Sequence, residues 1–190
     1  MGVAPGAQRE RTLEQPLGWI AFAAVALGMP TAALMAPSES ELPSLGEVPE
    51  FSFSDRDGSV TQHTDLDGTP AVILVLPSPC EGACNTSLAQ LSVAWDRLGG
   101  TSSGIRVVSL TDDPVRVSRA VPLERVDQWT LLNGIQPQMT DLLDAYGQMA
   151  PELDQTGGIF LVDRSGMVRS WAAAGVPLEP LIRDAERLMG

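Results

Sequence analysis

Ala71-Val-Ile-Leu-Val-Leu-Pro-Ser-Pro-Cys-Glu-Gly-Ala-Cys84 is the stretch on which the reading of this 190-residue chain turns. Its first six residues are uninterrupted and apolar, as in a strand buried on both faces. Pro77-Ser-Pro79 then ends the strand, because proline cannot donate to a sheet ladder. From Thr86 on, Leu88, Leu91, Trp95 and Leu98 recur at helical spacing, and Gly99-Gly100 closes that helix. The chain's two cysteines, Cys80 and Cys84, therefore sit where a strand meets a helix. Four residues apart, they come within disulfide range if the turn is helical. They equally offer two soft sulfur ligands suited to Cu(I). Thiol redox chemistry and metal handling both follow from the same pair.

Around this stretch, strands and helices alternate. Asp55-Arg-Asp-Gly58 joins Phe51–Phe53 to Ser59–Gln62 as a hairpin, with glycine where positive φ is wanted. Ile105–Leu110 reads as a second core strand ending at Asp112-Asp-Pro114. Residues 115–126 read as a helix interrupted by Pro122, and Trp129–Leu132 as a short strand. Met139, Leu142, Leu143 and Tyr146 form a helical stripe after Pro137. Ile159–Val162 and Met167–Trp171 bracket Asp163-Arg-Ser-Gly166 as a second hairpin. Leu178, Leu181, Ile182, Ala185 and Leu188 mark a terminal helix. This order specifies an α/β sheet with helices on both faces. A cysteine turn after the first core strand adds a thioredoxin-like arrangement with an N-terminal β-hairpin, by analogy of fold.

Every one of the twelve basic residues is arginine. Residues 1–37 are charge-neutral, so the whole net charge of −12 falls on the remainder. Such a surface repels nucleic acid and suits a solvated domain or a basic partner. Leu17–Ala36 contains no charge over 20 residues, just the length of a membrane-spanning helix, with Trp19 placed as an interfacial anchor. Arg9 and Arg11 precede it and acids follow, which favours an N-terminus inside. The division expected is a cytoplasmic tail at 1–15, a transmembrane anchor or uncleaved signal at 16–37, a linker at 38–50 and a folded domain at 51–190. A signal peptide cleaved near Thr31-Ala32-Ala33 is the alternative. Either version exports the domain to a compartment where disulfides persist.

From about Phe51 to Leu188 the chain resembles the Sco/SenC family, thioredoxin-like proteins that assist assembly of the copper site of cytochrome c oxidase. The resemblance rests on Asp55–Gly58, Asp65-Leu-Asp-Gly68, the Cys-x-x-x-Cys at 80–84, and Val108-Ser-Leu-Thr-Asp-Asp-Pro114. Trp129-Thr-Leu-Leu-Asn-Gly134 and Asp154-Gln-Thr156 leading to Phe160-Leu-Val-Asp-Arg-Ser-Gly166 complete it. It implies that Cys80 and Cys84 are both a redox-active pair and metal ligands. It also implies copper as cargo, a cytochrome c oxidase subunit or other copper protein as client, and a single-pass anchor in the inner membrane with the domain in the periplasm. The family's third copper ligand is a histidine, and the matching position here is Gln155. A neutral, hard amide is a weak ligand or none, so Cu(I) held by two thiolates is expected over Cu(II).

Other candidates rank lower. His63, the chain's single histidine, reads as a loop residue. Met139 belongs to a core stripe, while Met149 is a soft ligand by type alone. Asp113 before Pro114 reads as a cap or turn residue. Hydrolase chemistry lacks a serine motif beside the histidine. Three functions remain: a copper-delivering metallochaperone, a thiol–disulfide oxidoreductase that keeps client cysteines reduced, and a scaffold without metal.

Overall fold

The structure is a computed structural model that describes residues 42–79, 82–122, 125 and 127–190. The expected tail at 1–15, the anchor at 16–37 and Cys80 lie outside the described residues. Among the described residues no helix is long and apolar enough to cross a membrane.

Eight strands form one mixed sheet: β1 (Gly46–Glu47), β2 (Ser52–Ser54), β3 (Val60–Gln62), β4 (Ala71–Leu76), β5 (Arg106–Thr111), β6 (Thr130–Asn133), β7 (Gly158–Val162) and β8 (Met167–Ala173). Their spatial order is β1-β8-β7-β4-β5-β6-β2-β3. Strand β4 lies at the centre, parallel to β5 and antiparallel to β7. The parallel steps β4–β5 and β5–β6 are bridged by helices α1 (Gly82–Arg97) and α2 (Pro114–Ala120). Helices α3 (Gln136–Gly147) and α4 (Glu179–Met189) follow β6 and β8, and short 3-10 turns cover His63–Leu66 and Gly100–Ser102.

All of β4 is buried, as its unbroken apolar run predicts. Its alternate residues serve two different cores. Val72, Leu74 and Leu76 pack with Leu88, Leu91 and Trp95 of α1 and Leu181, Ile182 and Ala185 of α4. Ala71, Ile73 and Val75 face Met139, Leu142, Leu143 and Tyr146 of α3. Each such leucine or isoleucine contributes roughly 1.5–3 kcal/mol by leaving water. Helices thus cover both faces, as the alternation of elements requires. Tyr146 stacks on Phe160 at 3.9 Å, and burial pushes its hydroxyl pKa far above the ordinary range.

Local chemistry sets the helix ends. The Asp113 side chain accepts a hydrogen bond from the Arg116 N–H at 3.0 Å, and Pro114 follows it at the first helical position. Helix α2 stops at Ala120 because Val121, the residue before Pro122, takes an extended conformation. Helix α1 starts at Gly82, ahead of the apolar stripe that announces it.

The stretch expected as a linker at 38–50 joins the sheet over part of its length. Leu42 and Val48 are buried, and β1 pairs with β8 through Gly46↔Val168 and Glu47↔Met167. The hairpin β2–β3 adds to the opposite edge through one residue pair, Ser54↔Asn133. There Gly134 is needed for contact, since a Cβ would lie 2.5 Å from the Phe53 ring.

Candidate redox and metal-binding site

The C-terminal end of β4 delivers the chain to the site. Leu76 ends the strand, Pro77-Ser78-Pro79 turns away from the sheet, and α1 begins two residues after Cys80. Cys84 lies in the opening turn of α1, 3 % exposed and disulfide-bonded. Its Sγ sits 3.9 Å from the carbonyl oxygen of Thr156.

The turn at 154–157 is built to hold that carbonyl in place. The Asp154 Oδ1 accepts from the Thr156 N–H at 2.8 Å and also from the Thr156 hydroxyl. These bonds hold the Asp154 carboxyl below its usual pKa. Gly157 follows with φ of +90°, and its backbone approaches β4 so closely that a Cβ would lie 2.1 Å from the Val75 carbonyl oxygen. Gln155 is exposed at the tip of this turn, adjacent to Thr156. The position matching the family histidine is therefore on the segment that touches Cys84.

A third segment closes the site. The Gly175 N–H donates to Ser87 Oγ at 2.8 Å, and Ala174 N–H to the Gly157 carbonyl at 3.0 Å. Gly175, with φ of +86°, packs so tightly on α1 that a Cβ would meet Ala83 Cβ at 2.9 Å. On the other flank Arg116 donates to Ser78 Oγ at 3.3 Å, which ties α2 to the segment leading into the cysteines. Periodicity announces none of these supports. The glycines at 157 and 175 and the Asp-x-Thr pattern are the signals in the sequence that could have found them.

The remaining candidates are elsewhere. His63 follows β3 at the far edge of the sheet, with its ring 6.2 Å from that of Phe51 and its Nδ1 buried without a hydrogen-bond partner. Met139 is 1 % exposed inside the α3 core. Met149 packs on β1, where its Cε would lie 3.4 Å from a Cβ at Gly46. Asp113 acts as the α2 cap. None of these reaches Cys84 among the contacts described.

The profile of the SCO1/SenC family matches residues 40–190. The chain belongs to the SCO1/SenC family. No curated protein sequence matches it. Among solved structures it is similar to BsSco, a Sco-family cytochrome c oxidase assembly protein in which a disulfide switch was identified. That likeness has a TM-score of 0.61 at 19 % identity and covers 79 % of this chain and 96 % of that one. It is also similar to copper-bound ScoI of Bradyrhizobium japonicum, with a TM-score of 0.52 and 19 % identity over 75 % of this chain and 99 % of that one. A third likeness is to a DsbE-type thiol:disulfide interchange protein of Chlorobium tepidum. There the TM-score is 0.60 and the identity 22 %, over 79 % of this chain and all of that one. These likenesses establish the thioredoxin-like fold of this SCO1/SenC domain.

Within this domain the donor set is narrow. Among the described residues no group of three or more His, Cys, Asp or Glu side chains is placed to hold a metal ion. The turn beside Cys84 brings the Thr156 carbonyl oxygen to 3.9 Å from its Sγ and carries Gln155 next in the chain.

Proposed function

We propose that this SCO1/SenC protein assists assembly of a copper site in a client such as cytochrome c oxidase, carrying Cu(I) on the reduced Cys80–Cys84 pair. The observation that carries this reading is the seating of Cys84 at the opening of α1 against the Thr156 carbonyl, beside Gln155. Two thiolates satisfy Cu(I), a soft ion content with low coordination, whereas Cu(II) needs a further nitrogen donor that Gln155 does not provide. Copper here is cargo, and release is helped by a site of two ligands. The helix N-terminus favours the thiolate form, and Glu81 beside Cys80 opposes it. The anchor at 16–37 would hold the domain at the inner membrane, facing the periplasm.

The disulfide at Cys84 shows a pair that can pass between disulfide and dithiol, which supports a second reading: once an upstream thiol reductant has returned the pair to the dithiol, it reduces a client disulfide. In that case the Cys80 thiolate would attack the client disulfide, and Cys84, in the opening turn of the helix, would resolve the mixed disulfide and release the client's second thiol. The pair would leave oxidised and the client cysteines reduced, ready for metallation.

Titrating the reduced full chain with Cu(I) against a competing chelator tests the first reading. One tightly held Cu(I) per chain is expected, lost in Cys80→Ser/Cys84→Ser. Equal weak binding by both proteins would refute copper delivery through the pair. A reduction potential well below that of the compartment would then support the exchange reading.

A further inference from the structure

A cleft of about 480 Å³ opens beside the cysteine site, lined by Asn85, Asp113, Val115, Arg116, Arg119 and Ala120. Asn85 directly follows Cys84, so the cleft begins where the sulfur chemistry ends. Its walls come from α1 and α2, and Arg116 ties the second wall to Ser78. Its charge runs against the character of the whole protein. Asp113 is already engaged, accepting from the Arg116 N–H and pairing with the Arg116 guanidinium at 3.3 Å. Arg119 is exposed and makes no ion pair among the described residues, in a domain where most arginines pair with a carboxylate. The cleft therefore presents an uncompensated guanidinium in a chain of net charge −12. Beside it Val115, 56 % exposed, and the Asn85 amide supply an apolar contact and a hydrogen-bonding group.

We infer that this cleft docks an acidic stretch of the client polypeptide, immediately next to the client residues that meet the cysteine pair. A guanidinium matches a carboxylate in a two-pronged geometry, and a neighbouring valine and amide suit a peptide better than a small anion. An acidic protein otherwise repels an acidic partner, so attraction confined to one cleft fixes the register of the encounter. This inference deepens the proposed function by naming how the client is recognised at the same site, and it rests on that reading.

Two synthetic decapeptides test it: one with a central serine flanked by three aspartates, and its twin with asparagines in their place. Binding to the oxidised full chain is followed by NMR shifts. The aspartate peptide should move the Asn85, Val115 and Arg119 signals and bind at least roughly fivefold tighter than its twin. Arg119→Glu should abolish the difference and Arg119→Gln reduce it. Arg164→Glu, at the opposite end of the sheet, should leave it intact. Equal binding of the two peptides, or a preference that survives Arg119→Glu, overturns the inference. The same peptides with cysteine for serine report separately on the pair. An aspartate preference without disulfide exchange or Cu(I) transfer keeps the cleft and refutes the proposed function. Transfer without the preference refutes the cleft alone.

Discussion

Strand β7 is flanked by two turns written almost alike, Asp154-Gln-Thr-Gly157 before it and Asp163-Arg-Ser-Gly166 after it. In each, an aspartate Oδ1 accepts the N–H and hydroxyl of the residue two positions on, and a glycine with positive φ follows. Their surroundings differ. Asp163 also takes the Met167 N–H and the Arg169 guanidinium, the latter at 2.6 Å, so its turn is closed on its own hairpin. Partial burial pushes the Asp163 carboxyl up, but the bonds from Ser165, Met167 and Arg169 outweigh it and hold it below the usual range. The first turn is instead closed on other segments: Gly157 against Val75, Thr156 against Cys84. One local device therefore serves as a hairpin staple at one end of β7 and as a wall of the cysteine site at the other. What a turn leans on, more than its own residues, decides its use.

The largest effect that would break this comparison is at the glycines. Gly157→Ala forces a Cβ into the β4 carbonyl at a left-handed φ, and should cost roughly 3 kcal/mol or more by chemical denaturation. Gly166→Ala meets nothing nearer than Asp67 Oδ1 at 3.4 Å, and its cost should be only about 1 kcal/mol. Equal costs would mean that the 154–157 turn is not pinned to β4. Next comes Asp163→Asn, which removes a charged acceptor in an ion pair whose side chains are 14–17 % exposed. A loss of about 2 kcal/mol is expected, against less than about 1 kcal/mol for the exposed Asp154→Asn.

Histidine substitution sharpens the contrast in function. Gln155→His should tighten Cu(II) binding by the reduced protein at least about tenfold, seen as a thiolate-to-copper absorption band. The same substitution at Arg164 should change nothing, because that turn lies at the opposite end of β7 from Cys84. Failure at both positions would separate residue 155 from the cysteine pair.

The smallest effect is that of pH. Both aspartates have folded pKa values below their unfolded ones, so the stability they add is present above the usual carboxylate range. It is lost as pH falls through the depressed values. Asp163→Asn should flatten the acid limb of the stability curve more than Asp154→Asn, and the reverse order would put the stronger staple at the cysteine end.

Most of the fold was legible because its signals are local. The limits of β4 coincide with its apolar run, and the alternation of elements specifies the layers. Strand β1 was not legible, since two residues in a proline-punctuated polar stretch carry no period and pair only because β8 offers an edge. The opening of α1 was missed for a related reason: Gly82-Ala83 adds nothing to an apolar stripe. At the site, the cysteines were legible from their spacing, while the neighbour of Cys84 was not. Nothing within reach of residue 84 points to residue 156, 72 positions away. Resemblance to a family pointed to Gln155, and the sheet accounts for where its turn lies, because β7 starts beside the end of β4. The arginine cleft had no signal at all, since it needs α1 and α2 side by side.

The β2–β3 hairpin pairs with the sheet at one residue pair, Ser54↔Asn133, with Phe53 seated over Gly134. Such an attachment sets a clock of its own. Amide protons of β2 and β3 should trade with solvent deuterium through brief local detachment of the hairpin, while those of β4, β5 and β7 wait for the whole domain to open. An isotope-exchange map would then divide this sheet into a slow centre and a fast margin, with the Cys84 helix anchored to the slow part.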